Sequence, residues 1–175
     1  MSMNIGFQDE MRVGLLPCTR RLWSKIGERP ISYHHNKYEW FYIYNVIFPL
    51  KKEQFTFFLP TVSVKHIDFF WQHFLKEHGD EKYLIIWDGA GFHRGINQNL
   101  YPSLSFLTLP PYSPELNPAE TIWPIYREFI ANKYFSNLEE LEKELIKAYW
   151  YIENNKDEIL TRTQYNWIME ISNLQ

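Results

Sequence analysis

A chain of 175 residues is the size of one domain and can bury a real core, and 45% hydrophobic with 18% aromatic content excludes disorder over most of its length. The single cysteine, Cys18, excludes a disulfide framework and a cysteine-based zinc site, and fits a reducing compartment. No apolar run approaches the roughly eighteen residues of a membrane span, and the first residues lack a basic-then-apolar signal. The formal net charge of −3 counts against a uniformly basic nucleic-acid binder, because phosphate contacts need Lys and Arg. Yet Arg12, Arg20, Arg21, Lys25 and Arg29 fall in one early stretch. Each of them taken alone reads first as a solvated hairpin surface.

In chain order, Met3 to Asp9 reads as a short strand with Ile5 and Phe7 alternating, and Met11 to Pro17 as its antiparallel neighbour. Tyr38 to Phe48 is apolar on both alternating faces, as expected of a strand covered on both sides. Pro49 and the lysines after it turn the chain into a possible further strand, Gln54 to Leu59. Ser63 can cap a helix with Val64, Ile67, Phe70, Trp71, Phe74 and Leu75 inward, ending at His78-Gly79. Tyr83 to Trp87 and Leu104 to Leu109 are compact buried strands with a short helix between them. From Pro118 the pattern is helical, with a capping box at Ser136 and Glu139 and a last helix over 156–171. Strands followed by strand–helix alternation predict an α/β sheet with helices on its faces, in one domain with a core over about 1–135 and C-terminal helices over 136–175.

Three acids attract attention. Asp88 directly follows the apolar strand and precedes Gly89, Ala90 and Gly91, where small residues allow a close approach. It reads either as a ligand at a strand's C-terminal end or as a cap of the next helix. Asp9 reads as the end of the first strand; if that strand lies parallel beside Tyr83–Trp87, the two carboxylates emerge together. Adjacent carboxylates repel, which raises a pKa or calls in a cation. Oxygen donors without a nearby thiol favour Mg²⁺ or Mn²⁺ over zinc. Glu10 is the rival of Asp9 but points to the opposite face of a strand. Glu120 lies in Asn117-Pro118-Ala119-Glu120, a strong helix start, where it either reaches back to the cap or serves as a third ligand. The stiff Leu109-Pro110-Pro111-Tyr112-Ser113-Pro114 run would hold that helix start against the sheet.

FQDEMRVGL (7–15), WDGAGFH (87–93) and LPPYSPELNPAETIW (109–123) resemble the three signature blocks of DDE transposases of the mariner-like and bacterial insertion-sequence kind. Trp23, Gly27, Arg29 and Pro30 also fit the stretch after the first acid, so the resemblance spans most of the chain. The proline-rich third block is highly specific; the first alone is weak. The resemblance implies a ribonuclease H-like fold, a mixed central sheet with helices on both faces. It further implies a two-metal Mg²⁺ or Mn²⁺ site on Asp9, Asp88 and Glu120, cutting phosphodiester bonds at transposon ends and transferring the freed 3′-hydroxyl to target DNA. His93 matches the histidine of the second block, either as support near the metals or DNA or as a structural histidine. Trp23, Trp123 and Tyr112 are candidates to stack on unpaired bases.

Two departures qualify this. Residues 89–119 between the second and third acids are slightly fewer than the family has, with the shortening expected around 95–103. Full-length members also carry helix-turn-helix modules before the catalytic domain, and here a strand is expected within a few residues of Met1. The reading is therefore a catalytic half whose DNA-binding half is encoded elsewhere, with a homodimer on DNA as the implied assembly. A nuclease that does not join, or a non-catalytic DNA- or partner-binding remnant, are the alternatives. The implied location is cytoplasmic and nucleoid-associated for a bacterial insertion-sequence protein, or nuclear for a eukaryotic one, with no membrane partner.

Overall fold

The computed structural model describes residues 4–28, 37–79 and 81–172, with the side chains of 171 and 172 left aside. Five strands form one sheet: β1 (Asn4–Gly14), β2 (Trp40–Phe48), β3 (Glu53–Leu59), β4 (Tyr83–Trp87) and β5 (Leu104–Thr108). Their spatial order is β3-β2-β1-β4-β5. The first three strands pair antiparallel, while β1–β4 and β4–β5 are parallel. Among the described residues the sheet is joined by six α-helices: α1 (Val64–His78), α2 (Gly91–Arg94), α3 (Trp123–Ile130), α4 (Leu138–Asn154), α5 (Lys156–Thr161) and α6 (Asn166–Ser172). This is the ribonuclease H-like fold, with helices on both faces of a mixed sheet.

Side-chain alternation builds two cores. On one face Ile5, Phe7, Met11 and Val13 of β1 join Phe41, Ile43 and Ile47 of β2 under the later helices, which contribute Trp123, Tyr126, Leu141, Leu145 and Ile152. On the other face Tyr44, Val46 and Phe48 of β2 and Ile85 and Trp87 of β4 meet Ile67, Phe70, Trp71 and Phe74 of α1. β2 is thus apolar on both sides because both sides are covered. Phe70, Trp71 and Phe74 of α1 are fully buried, and truncating any one of these three to alanine is expected to cost about 3–5 kcal/mol. Ser63 caps α1, accepting from the His66 N–H, and Gly79 ends it at φ 71°, as the sequence suggested.

Several expectations change. The predicted pair Met3–Asp9 and Met11–Pro17 is one continuous strand, and the antiparallel neighbour of β1 is β2. No turn residue separates Asp9 from Met11, and the apolar stripe at odd positions runs straight through; Asp9 interrupts it only with a charge. Asp9 therefore lies mid-strand, not at a strand end. The cap of α4 is Asn137, which accepts from the Glu140 N–H at 2.9 Å, while Glu140 accepts from the Ser136 N–H at 2.8 Å. The cap thus sits one residue later than predicted, and the return bond from Glu140 reaches the residue before the cap and not the cap's own N–H. The expected last helix is two, α5 and α6, broken where buried Thr163 donates to the Leu160 carbonyl and Gln164 donates to the Pro49 carbonyl. Arg29 and Pro30 lie outside the described residues.

Candidate active site

The β1–β4 register pairs Phe7 with Ile86, so two residues further on Asp9 stands level with Asp88. Both side chains belong to the face covered by α3, because paired residues share a face and Phe7 and Ile86 lie in the same core. β4 ends at Trp87, and the chain leaves the sheet with Asp88. The third acid comes from a separate segment. A single 3₁₀ turn at Pro118–Thr121 precedes α3, and Asn117 caps it by accepting from the Ala119 N–H at 3.1 Å. The Asn117 side-chain amide donates to the Gln8 carbonyl at 3.1 Å, which pins this turn to β1 beside Asp9. Asn117 is 4% exposed, so this bond is made away from water. The carboxylate of Glu120 is exposed and accepts no hydrogen bond among the described residues. Glu120 does not reach back to the amide of the capping residue: the Asn117 N–H donates to the Pro114 carbonyl at 2.9 Å.

Asp9, Asp88 and Glu120 line one cavity of about 490 Å³, walled by Gly89, Ala90, Arg94, Thr108 and the stiff loop Leu109 to Pro114. A Cβ added at Gly89 would meet only Thr108, at 3.6 Å, and one at Gly91 would meet nothing. These glycines leave the wall open rather than admitting a neighbouring backbone. Tyr112, at φ 59°, holds a left-handed conformation that costs a non-glycine residue about 1 kcal/mol or more, and its ring is fully exposed on the cavity wall. Arg94 is the one cation among the described lining residues; its Nε and Nη2 donate to the Gly89 carbonyl at 3.3 and 2.9 Å. Sequence reasoning passed over Arg94, although its position directly after the His93 of the second block was the available signal.

The two aspartates are held differently. Asp9 accepts from the Glu10 N–H at 2.9 Å and from the Trp123 indole at 2.7 Å. Burial pushes its pKa up to about 7; the Trp123 bond opposes this, and the charges of Glu120 and Glu10 add to it. Asp88 Oδ1 accepts from the Ala90 N–H and from His93 Nδ1, both at 2.9 Å, and the His93 bond holds its pKa below the ordinary value. His93 is 2% exposed and stacks on Trp87, ring centroids 4.4 Å apart and planes within 4°. Its Nε2 lies 3.2 Å from Glu10 Oε1. Burial alone would lower the His93 pKa, but the bonds to Asp88 and Glu10 push it up to about 9. Glu10 does point to the face opposite Asp9, as expected, and there it meets His93.

Trp123 is 2% exposed, so it is a partner of Asp9 and not a stacking surface for bases; Trp23 and Tyr112 are fully exposed. Of the early basic residues, Arg12 lies over the Trp40 ring at 5.4 Å and lines a second cavity with Tyr38 and Glu39. Arg20 is paired with Glu128 at 2.9 Å, while Arg21 and Lys25 are exposed. None of these four lines the carboxylate cavity. Among the described residues no group of three or more His, Cys, Asp or Glu is placed so that it could hold one metal ion, and no helix is long and apolar enough to cross a membrane.

Comparison with known proteins follows the same lines. A protein of Sinorhizobium fredii (strain NBRC 101917 / NGR234), the uncharacterized protein y4pE/y4sA, is 28% identical over 58% of this chain and 77% of its own length. Among solved structures, the Mos1 mariner paired end complex with Mn matches with a TM-score of 0.67 and 16% identity over 91% of this chain and 51% of that one. The pre-cleavage Mos1 transpososome matches with the same TM-score and coverage at 15% identity. The chain thus spans about half the length of those transposase chains, and the likeness is one of fold. The family model for DDE superfamily endonucleases matches residues 4–142, which include all three acids and their supporting loops, and the chain belongs to that family.

Proposed function

We propose that this chain is the metal-dependent DNA-cutting core of a transposase, with Asp9, Asp88 and Glu120 holding Mg²⁺ or Mn²⁺. The observation that carries the reading is the convergence of three carboxylates, from mid-β1, the end of β4 and the turn before α3, on one cavity at one end of the sheet. The donors are all carboxylate oxygens, which suits a hard divalent cation. Asp9 fits such an ion independently: its burial and the charges of Glu120 and Glu10 make its ionised form costly, and a cation would relieve that cost. Glu120, exposed and without a hydrogen-bond partner among the described residues, is free to swing inward and complete the set.

Divalent ions bound there would stabilise the charge that builds on the oxygens of a phosphodiester during in-line displacement. The chain's own contribution is positioning. Trp123 and the Glu10 amide fix Asp9, Ala90 and His93 fix Asp88, and Asn117 ties the Glu120 turn to β1. Arg94 supplies the cation that a phosphate entering an otherwise anionic cavity needs. The Mos1 structures of like fold include a paired end complex with Mn, one with Mg, and a strand transfer complex, which supports DNA as substrate, as transposon end and as target. On this reading two copies act together on DNA.

The test is Mn²⁺-dependent nicking and joining of a labelled duplex by the wild type and by Asp88→Asn. Products that need metal and vanish in the variant support the assignment, and joined strands select a transposase over a simple nuclease. Cleavage unchanged by Asp88→Asn would overturn the site. Should neither protein cut, Mn²⁺ titration by calorimetry decides: an ion bound by the wild type and not by the variant supports the site, and no binding identifies a non-catalytic remnant.

A further inference from the structure

Glu10 carries a charge into the protein interior, and its side chain lies outside the lining of the carboxylate cavity. Its side chain is 7% exposed, on the sheet face away from the carboxylate cavity. A buried carboxylate needs partners to offset its lost hydration. It has two: the Gln8 side-chain amide donates to Oε1 at 2.7 Å, and His93 Nε2 lies 3.2 Å from the same oxygen. The other imidazole nitrogen, Nδ1, lies 2.9 Å from Asp88 Oδ1 and 3.1 Å from the Asp88 carbonyl. Stacking on Trp87, which itself stacks with Phe106 at 4.2 Å, fixes the tilt of the imidazole. Only rotation within the ring plane is left, and Glu10 stops it.

The geometry points to Glu10 as a positioning residue that acts through His93 to lock the Asp88 carboxylate, so that Oδ1 is held by protein and Oδ2 is left to face the cavity. This inference rests on the reading of Asp88 as a metal-holding group. The chain Gln8–Glu10–His93–Asp88 passes from one face of the sheet to the other, around the end of β4. Glu10 also touches the second aspartate, but by a different atom: its backbone N–H donates to Asp9 Oδ1. Replacing the Glu10 side chain therefore leaves the Asp9 bond in place; it also removes the Glu10 charge that bears on Asp9, but alanine and glutamine remove it alike, so the difference between those two variants reads the Asp88 side.

A merely structural buried pair would give the same distances, and metal affinity separates the two. Partners one step removed from a metal-holding group typically contribute about 10- to 100-fold to affinity. Mn²⁺ titration by calorimetry on the whole chain, at a temperature where circular dichroism shows each variant folded, would compare wild type, Glu10→Ala, Glu10→Gln and Asp88→Asn. The expected result is Mn²⁺ affinity lost in Asp88→Asn, about 10- to 100-fold weaker in Glu10→Ala, and largely recovered in Glu10→Gln, whose side-chain oxygen still accepts from Nε2. The ¹⁵N signal of His93 Nδ1 in the metal-free protein should shift in Glu10→Ala and return in Glu10→Gln. Wild-type affinity in Glu10→Ala, with Asp88→Asn defective, overturns the inference and leaves the role of Asp88 standing. Glu10→Gln as weak as Glu10→Ala also overturns it, because charge and not the hold on the ring would then matter. Undiminished binding by Asp88→Asn overturns the reading of Asp88 itself, and the inference with it.

Discussion

Asp9 is set mid-strand beneath α3, where Trp123 closes over it, whereas Asp88 leaves the end of β4 half in solvent beside His93. The two stand level on neighbouring parallel strands, so the sheet alone treats them alike. Their surroundings do not: burial raises one pKa to about 7 and a cationic partner lowers the other. Acidic pairs pushed apart in this way mark sites where two carboxylates do different work. Without a cation Asp9 is the costly member of the pair and Asp88 the settled one. The site's need for a positive ion is therefore concentrated at Asp9, while its geometry is set most firmly at Asp88.

The largest effect expected from this contrast is on stability against pH. Between its unfolded value of 3.8 and about 7, the folded state keeps a proton on Asp9 that the unfolded chain has lost. Stability of the metal-free protein should therefore fall as pH rises through that window, by as much as on the order of 4 kcal/mol. His93 acts in the same direction at higher pH: its stabilisation is full below 6.5 and is lost as pH rises through about 9. Thermal unfolding in EDTA should thus show a higher midpoint at pH 5.5 than at pH 8, and saturating Mn²⁺ should narrow that gap. A midpoint that rises from pH 5.5 to 8 without metal would break the contrast between the two aspartates.

A smaller effect is expected where the third acid is tied down. Asn117→Ala removes both the cap on the 3₁₀ turn and the bond to the Gln8 carbonyl. Caps contribute about 0.5–2 kcal/mol, so chemical denaturation should show a loss at the upper end of that range. If Glu120 depends on this tie for its place beside Asp9, Mn²⁺ affinity should fall beyond what stability explains. Equal losses in Asn117→Ala and in a remote cap variant such as Asn137→Ala, with Mn²⁺ affinity intact in both, would show that the turn holds itself.

How much of this was legible in the sequence depended on whether a signal was local. The α1 cap, the two-sided pattern of β2 and the proline-stiffened loop all act within a few residues, and each was readable. The parallel placement of β1 beside β4 entered only as a condition for the two acids to meet, and the structure meets it. What escaped reading was non-local. The charge of Asp9 looked like the end of a strand because nothing nearby in sequence announces Trp123, 114 residues away, as its partner. Glu10 was correctly set on the opposite face, but its meeting with His93 needs the turn after β4 to fold back against β1. The α5–α6 break depends likewise on Gln164 reaching Pro49 across the domain.

The smallest expected effect concerns how DNA is held, and it sharpens the contrast between the cavity and the basic stretch outside it. The early basic residues suggested an electrostatic footprint, yet Arg20 already spends its charge on Glu128 and Arg12 lies over Trp40. Arg94 instead lines the carboxylate cavity, with Nε and Nη2 of its guanidinium donating to the Gly89 carbonyl. Each phosphate neutralised releases counterions, so log K falls against log salt with a slope of about −0.9 per contact. Arg94→Ala should flatten the slope for duplex binding by about one contact, and Arg20→Ala should leave it nearly unchanged. Fluorescence anisotropy of a labelled duplex across a salt series, in EDTA so that cutting does not intervene, measures both. If Arg20→Ala flattens the slope and Arg94→Ala does not, phosphate binding belongs to the outer stretch, and Arg94 serves only to hold the Gly89 turn in place.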